Sequence, residues 1–238
     1  MWKNIDLEKC LSHLNRPLGS KDKSAAGMRP SITISRMCGA GGRSVASQLV
    51  DYLQPHAPYG CQWTIFDKKL IEKVLDDHLL PPRMAEYLSE SGRPLLTGIM
   101  DRLRGRHVPV TKLIEQTIET IWQLAEGGHV VIVGRAANVI TGGLKNVFHV
   151  RLVGSLERRI ERVEEVYEMG RADATAYVKS QDAGKKRYVK EYFGRDIDDA
   201  ELYHLFVNTD RIPYERAARL IADSFLNWCK PEPAARAA

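Results

Sequence analysis

The sequence predicts an α/β protein in which helices cover both faces of a five-stranded, mostly parallel sheet, because strand-like and helix-like segments alternate along the chain. Three short strand-like segments carry this prediction, at residues 31–35, 130–133 and 147–152. All three contain β-branched residues, which favour strands. The run VVIV at 130–133 has no polar residue, which is typical of a strand that is buried on both faces.

The period of the apolar residues predicts the other elements. Two shorter strands are expected at 63–66 and 205–208. Residues 79–127 are expected to be mostly helical, and the helices with the clearest boundaries are predicted at 43–53, 68–78, 111–126, 156–167, 172–193 and 213–228. Ser155 is a suitable N-cap for the helix that follows it, whose predicted buried stripe comprises Leu156, Ile160, Val163 and Tyr167. Pro213 is expected in the first turn of the last helix.

The composition is that of a soluble globular protein, with 44% hydrophobic and 27% charged residues among 238. We expect an N-terminal extension and linker at 1–29, one domain at 30–230 and a disordered tail at 231–238. No apolar run approaches the length of a membrane span, and the first 30 residues lack the apolar stretch of a secretory signal. The expected location is therefore the cytoplasm.

The cysteines and two histidines predict no metal centre. The cysteines are widely separated and form no C-x-x-C pair, which favours reduced thiols over structural zinc: Cys10, Cys38, Cys61 and Cys229. His149 and His204 lie in apolar runs and are expected to be hydrogen-bonded core residues. The net charge of +5 favours anionic partners in general, with nucleotides and nucleic acids both open on this ground alone.

A glycine cluster follows the first strand, in the segment that we call the glycine loop, residues 36–42, with sequence RMCGAGG. Glycines let backbone N–H groups converge on an anion, and the N-terminus of the following helix adds partial positive charge. Polar residues also follow three of the other predicted strands, namely Asp67, Arg135 and the segment 208–210. Ligands of parallel sheets bind at the carboxyl ends of the strands, so these positions predict a phosphate site.

The glycine loop departs from the phosphate-binding motif G-x-x-x-x-G-K-[ST]. With Gly41 on the second glycine, Arg36 stands at the first glycine, Gly42 at the lysine and Arg43 at the hydroxyl residue. A loop one residue longer would let Arg43 replace the lysine and Ser44 hold the metal. Alternatively, backbone N–H groups hold the anion, with Arg36 and Arg43 as flanking charges. A third interpretation is a tight turn without a ligand.

Several segments together resemble one family. They are ITISRMCGAGGRSVASQL at 32–49, FDKKLI at 66–71, VVIVGRAANVI at 130–140, VFHVRLVGSLERRIERV at 147–163, GKKRYVKEYFGRD at 184–196 and LYHLFVNTDRIPYERAARLI at 202–221. The chain resembles the cytidylate kinase-like proteins, within the P-loop nucleoside monophosphate kinases. The resemblance implies a P-loop fold with a helical lid, the substrate ATP, the cofactor Mg²⁺ and transfer of the γ-phosphoryl group to CMP, dCMP or a related small acceptor.

The resemblance also assigns residues. The nucleotide and phosphate ligands would be Gly39, Ala40, Gly41, Gly42, Arg43, Ser44, Asp67, Arg135 and Asn208. Arg43, Lys186 and Arg187 would be catalytic, and Ser44 would be the metal ligand. One family residue is missing, because Ala136 stands where the family has an aspartate that helps to hold the monophosphate.

Two further segments are expected at the site. A cationic lid would span 170–196, and its other cations are Lys185, Lys190 and Arg195. A monophosphate-binding insert would lie within 78–110, where Arg102, Arg104, Arg106 and His107 form a basic cluster.

The alternative function is a nucleotide sensor or partner-binding module that has lost the chemistry. Nucleic-acid binding through the basic helix at 179–195 is the least favoured hypothesis, and a homodimer is possible.

Overall fold

A computed structural model describes residues 29–57, 61–67 and 110–230. Residues 1–28 of the predicted extension at 1–29, the tail at 231–238, and residues 78–109 of the segment that was predicted to hold the acceptor insert lie outside the described residues. The predicted helix at 68–78 lies outside them as well. Within the described part, no helix is long and apolar enough to cross a membrane.

The described chain forms a three-layer α/β/α fold. Its strands are β1 (Ser31–Arg36), β2 (Thr64–Phe66), β3 (Val130–Val133), β4 (Val147–Val153) and β5 (Leu205–Asn208). Its helices are α1 (Gly42–Leu53), α2 (Val110–Gly127), α3 (Ala137–Ile140), α4 (Leu156–Tyr167), α5 (Arg171–Phe193) and α6 (Tyr214–Trp228), with short 3₁₀ turns at Gln54–His56 and Ala200–Leu202. The strands pair in the order β2-β3-β1-β4-β5, and every pair is parallel. The predicted fold class is confirmed.

The central strand β1 pairs with β3 on one side and with β4 on the other. Ile32 lies opposite both Val131 and Phe148, and the pairing with β4 continues to Arg36 opposite Leu152. Because all strands run the same way, their carboxyl ends meet at one edge of the sheet. The glycine loop leaves β1 at this edge.

Two apolar layers hold the sheet. On one face, α1 and α6 pack against it and against each other, and the buried Phe225 of α6 contacts the Trp63, Phe148 and Trp228 rings at centroid distances of 5.5, 6.0 and 6.2 Å. On the other face, Ile121 and Leu124 of α2 pack against Val130 and Ile132. These layers are why β1 and β3 are buried along their whole length except at the exit of β1.

Two predictions about helices were wrong, and one short helix was not predicted. In α4, Ile160 and Val163 are buried, but Leu156 and Tyr167 are 40% and 53% exposed, and the charged Arg159 is buried instead. A stripe drawn through apolar residues alone cannot include a buried arginine that has its own partners. Pro213 is the N-cap of α6 rather than a residue of its first turn. The four-residue α3 is too short to give a helical period and was not predicted.

His149 is a buried core residue, as predicted, and its Nδ1 shares a hydrogen bond of 2.7 Å with Thr33 Oγ1. His204 is exposed rather than part of the core, although its Nδ1 accepts a hydrogen bond of 3.0 Å from the His149 backbone N–H. Burial, and to a smaller extent the neighbouring His204, lower the pKa of His149 to about 4.

We expect Phe225→Ala to reduce the free energy of unfolding by about 3–5 kcal/mol, because it removes a buried aromatic ring and leaves a cavity. Leu220→Ala, on an exposed part of the same helix, should cost less than about 1 kcal/mol. Urea unfolding followed by circular dichroism measures both. Equal losses would contradict the packing described for α6.

Protonation of His149 should destabilise the fold. Its pKa is about 4 in the folded chain against an ordinary value of 6.5, so the unfolded chain binds the extra proton between these values. The stabilisation from the neutral ring is complete above about pH 6.5 and is lost as the pH falls towards 4, by up to about 3 kcal/mol. Urea unfolding at pH 7, 5.5 and 4.5 should show this fall, and His149→Gln should make it shallower. An unchanged slope in His149→Gln would exclude the histidine as its source.

Candidate functional site

A cleft of about 590 Å³ opens at the carboxyl edge of the sheet. Its walls are the glycine loop and the start of α1 on one side, Asp67 and Arg135 after β2 and β3, and the facing sides of α4 and α5. The cleft therefore lies where a parallel sheet is expected to bind its ligand.

The glycine loop can exist only with glycine at two positions. Gly39 and Gly41 have φ of +81° and +76°, a region that residues with a Cβ avoid. A Cβ on Gly39 would lie 2.4 Å from the Arg159 carbonyl oxygen, and one on Gly41 would lie 2.4 Å from the Tyr214 ring. Gly41 is also the N-cap of α1 and provides no side-chain acceptor for the first N–H groups of that helix. The loop thus presents helix N–H groups to a ligand, which suits an anion.

Most of the predicted phosphate ligands line this cleft: Gly39, Gly41, Gly42, Arg43, Ser44, Asp67 and Arg135. Ala40 does not line the cleft, and its side chain is buried in the core. Arg43 forms an ion pair with Asp67, whose carboxylate is almost fully buried. The pair fixes the guanidinium of Arg43 beside the second strand. The roles of these residues remain predictions.

Arg135 is presented by an unusual backbone. Gly134, Arg135 and Ala136 have φ of +85°, +61° and +53° in succession, which is rare for residues with a Cβ. Arg135 is only 5% exposed although it lines the cleft. Ala136 packs against Val189 and Ile197 beneath the end of α5. Strain of this kind persists where the surrounding structure holds it, and it is concentrated at functional sites.

The structure does not bring Lys186 and Arg187 to the cleft. Lys186 forms an ion pair of 2.5 Å with Asp198, and this hydrogen-bonded contact raises its pKa. Arg187 is exposed on α5 and does not line the cleft either. Gln181 and Lys185, four residues apart on the same helix face, line the cleft instead. A run of cations on a helix does not show which of them faces inwards.

Asn208 also lies outside the cleft. Its Oδ1 accepts a hydrogen bond of 2.9 Å from the Asp210 backbone N–H, which is the Asx turn that its position after β5 permits. Asp210 in turn accepts a hydrogen bond of 2.6 Å from the Ser155 backbone N–H. The segment 208–210, which follows β5, is therefore hydrogen-bonded to the residue that precedes α4.

Arg159 and Asp182 are two site residues whose connection the sequence did not reveal. Asp182 on α5 accepts a hydrogen bond of 2.7 Å from the Cys38 backbone N–H and pairs with the buried Arg159 on α4. Arg159 also donates to the carbonyls of Cys38 and Gly154, each at 3.0 Å. Two helices are thereby fastened to the glycine loop. The only signal in the sequence is the pattern ERRIER at 157–162, which does not say which arginine is buried.

A second hollow of about 280 Å³ adjoins the cleft. Gly39 and Arg162 line both spaces, and Arg158, Asp210 and Tyr214 line the second alone. The Arg162 guanidinium lies 5.6 Å from the centroid of the Tyr214 ring. A ligand with a charged part and a planar part can thus span the two spaces.

The charge of the main cleft is positive. Among its described lining residues, the only carboxylate is Asp67, whereas the cations are Arg36, Arg43, Arg135, Arg162 and Lys185. Burial raises the pKa of the Cys38 thiol in the loop, and Lys185 opposes that rise. The excess of cations suits a ligand with several negative charges. No group of three or more potential metal ligands among histidine, cysteine, aspartate and glutamate occurs in the described part of the chain.

Sequence comparison then gives the family. The family model described as "Cytidylate kinase-like family" matches residues 31–211, which is most of the chain and includes every described wall of the cleft. The chain belongs to the cytidylate kinase-like family. Membership supports a nucleotide-binding phosphotransferase with a kinase-like P-loop fold as the class of this protein.

Individual relatives are distant. The cytidylate kinase of Methanocaldococcus jannaschii is 26% identical over 110 residues, which are 45% of this chain and 62% of that relative. An uncharacterised protein from Eubacterium ventriosum is 20% identical, with a TM-score of 0.60 over 82% of this chain and 98% of its own. A shikimate kinase from Acinetobacter baumannii is 14% identical, with a TM-score of 0.46 over 83% and 93%. At 20% identity, the structural similarity to the Eubacterium ventriosum protein shows the fold alone.

Gly39→Ala should cost about 2–5 kcal/mol of unfolding free energy, because it adds a left-handed backbone penalty to a clash with Arg159. Gly194→Ala is the matched control, since Gly194 has φ of +67° but open space around its Cα. The control should cost only about 1–2 kcal/mol. Urea unfolding of both variants measures the difference. A loss at Gly39 no larger than that at Gly194 would contradict the close contact of the loop with α4.

Proposed function

We propose that this member of the cytidylate kinase-like family transfers the γ-phosphoryl group of ATP to a nucleoside monophosphate, of the CMP or dCMP kind, or to a related small phosphate acceptor. The observation that carries the proposal is the cleft itself. Glycine-loop N–H groups and five cationic side chains converge on one space whose described walls hold a single carboxylate. A chain of phosphoryl groups has the charge and the hydrogen-bond acceptors to match this space.

The donor would lie along both spaces. Its phosphates would occupy the main cleft, held by the N–H groups at the start of α1. Its base would lie in the second hollow, between the Arg158 side and the Tyr214 side. Arg162 borders both spaces and would lie where the two parts of the donor join.

The residues present fit a magnesium ion that is bound mainly through the substrate. Ser44 supplies a hydroxyl and Asp67 a carboxylate on the cleft wall, and magnesium commonly takes one or two protein oxygens besides phosphate oxygens and water. When bound, the ion neutralises charge on the donor phosphates. Ser44 would hold it, while Asp67 keeps Arg43 in place through their ion pair.

The acceptor would lie at the opposite end of the cleft. Arg135, which lines the cleft, has a strained backbone and is nearly buried, so it would bind a phosphate through two parallel hydrogen bonds without losing much side-chain freedom. Ala136 offers no carboxylate at the family position for base recognition, and its side chain instead contacts the end of α5. We therefore propose that this chain selects its acceptor mainly by phosphate and shape.

Lys185 is the lid cation that geometry favours. It is 5% exposed, lines the cleft and lies 3.4 Å from Asp182, the carboxylate that also holds the Cys38 N–H. Because phosphoryl transfer depends mainly on positioning and charge stabilisation, a cation held beside the glycine loop is well placed to act on the transferring group. We therefore assign the role of catalytic lid cation to Lys185, instead of to Lys186 and Arg187 as the sequence predicted.

The test is ATP consumption by the purified full chain with Mg²⁺ and a panel of nucleoside monophosphates, together with direct ATP binding by calorimetry. Acceptor-dependent turnover, strongest with CMP or dCMP, supports the proposal. Binding of ATP without turnover on any acceptor would favour the nucleotide sensor instead. Absence of ATP binding would contradict both.

Arg135→Met should lower kcat/KM for the acceptor by about 100-fold, because it removes a preorganised phosphate ligand. Its effect on the KM for ATP should stay within about threefold, since the donor is held elsewhere. Steady-state kinetics with each substrate varied in turn measures both values. Arg216→Met, an exposed arginine on α6, is the matched control for the lost charge. Equal losses of kcat/KM for ATP and for the acceptor would contradict the assignment of Arg135 to the acceptor site.

A further inference from the structure

The two ends of the glycine loop are exchanged relative to the phosphate-binding motif. The motif has glycine at its first position and lysine at its seventh. This chain has Arg36 at the first position and Gly42 at the seventh. The cation has moved from the first turn of α1 to the last residue of β1, and the glycine has moved the other way.

The structure shows that the two changes depend on each other. A Cβ on Gly42 would lie 2.9 Å from Arg36 Cγ and 3.2 Å from Arg36 Cδ. The backbone of Gly42 does not require glycine, because its φ lies outside the left-handed region. Glycine is required at position 42 because there is no room for a Cβ beside the Arg36 side chain. The stem of Arg36 crosses the start of α1 and occupies the volume in which a lysine at position 42 would begin.

The charge of Arg36 lies in the cleft. Arg36 lines this space, together with other residues of the glycine loop and with Tyr177, Gln181 and Lys185 of α5. Burial raises the pKa of Tyr177 on α5 to about 12, and burial also raises that of the Cys38 thiol in the loop. Arg36 opposes both rises, in agreement with the cleft that it lines together with Cys38 and Tyr177. This is the space that the proposed function gives to the donor phosphates.

We propose that Arg36 is the residue that replaces the missing lysine on the donor phosphates, and that Gly42 is glycine in order to let it pass. The inference rests on the proposed function only in taking a polyphosphate as the ligand of the cleft. Arg43, the other candidate for this role, is turned towards Asp67 by their ion pair. Arg36 is unlike lysine in offering a planar fork that can bind two phosphate oxygens at once.

The first experiment compares three variants that each lose one arginine. Arg36→Met keeps the length of the stem, Arg43→Met removes the rival candidate, and Arg219→Met is a control on the exposed side of α6. Inorganic tripolyphosphate and ATP·Mg²⁺ are titrated into each full-length variant by calorimetry. We expect about 10- to 100-fold weaker binding of both for Arg36→Met, the size of a lost charge-assisted contact. The loss for Arg43→Met should be clearly smaller, and Arg219→Met should match the wild type within about twofold.

The second experiment restores the motif. Gly42→Lys alone should bind tripolyphosphate poorly and melt at a lower temperature, because the new side chain and Arg36 need the same volume. Arg36→Gly alone should bind as weakly as Arg36→Met. The double variant Arg36→Gly/Gly42→Lys removes the clash and returns a cation from the α1 side. It should recover binding by about tenfold over Arg36→Gly and melt above Gly42→Lys.

The outcomes separate the inference from the proposed function. If Arg36→Met binds tripolyphosphate as well as Arg219→Met does, or if Arg43→Met shows the larger loss, the inference is overturned whatever the enzyme does. If wild-type protein does not bind tripolyphosphate, the inference fails with the phosphate site. If binding follows Arg36 but no acceptor is phosphorylated, the inference holds and the kinase proposal fails. Additive melting shifts in the double variant would contradict the shared volume, even if every variant folds.

Discussion

The parallel pairing of β1 with β3 on one side and β4 on the other is the constraint on which the site depends. It brings the end of β1, the strained turn after β3 and the exit of β4 to one edge, so that residues far apart in sequence surround one space. Register matters as much as direction. Ile34 is opposite both Val133 and Val150, so the glycine loop starts level with the turn that carries Arg135. A register shift would separate the proposed donor and acceptor ends of the cleft.

Buried charge is the second constraint, and it decides which helices attach to this edge. Arg159 and Arg151 are almost fully buried, which is tolerable only with close carboxylates. Asp182 pairs with the first and Asp198 with the second, and both carboxylates belong to α5 or to the segment after it. These ion pairs attach α5 and the segment after it to α4 and β4, in addition to the apolar contacts of Val189 and Val178 of α5.

Much of the fold was predictable because β-branched runs and helical spacing are local signals. The five strands and the glycine loop were placed within a residue or two. The site was only partly predictable. The choice between Lys185 and Lys186 depends on how α5 is rotated about its axis, and Asp198, which draws Lys186 away, lies twelve residues further along the chain. The burial of Arg159 likewise depends on its contacts with Asp182 and with the Cys38 carbonyl. The spacing of apolar residues in α4 cannot predict these contacts, because both partners lie in other elements.

The exchanged ends of the glycine loop suggest a way in which such a motif can change and still combine backbone N–H groups with one cationic side chain. In the proposed site the anion is positioned first by backbone N–H groups, whose directions are fixed by the left-handed glycines at 39 and 41, and of these Gly41 is the one that matches a glycine of the motif. A side-chain cation need only reach that fixed position, and both ends of a closed loop are close to it. Arginine from the strand end reaches farther than lysine, but its stem needs a path, and the path is the missing Cβ of Gly42. Arg36 and Gly42 are two separate changes in the sequence, but they depend on each other because the Arg36 stem occupies the volume that a side chain at position 42 would need.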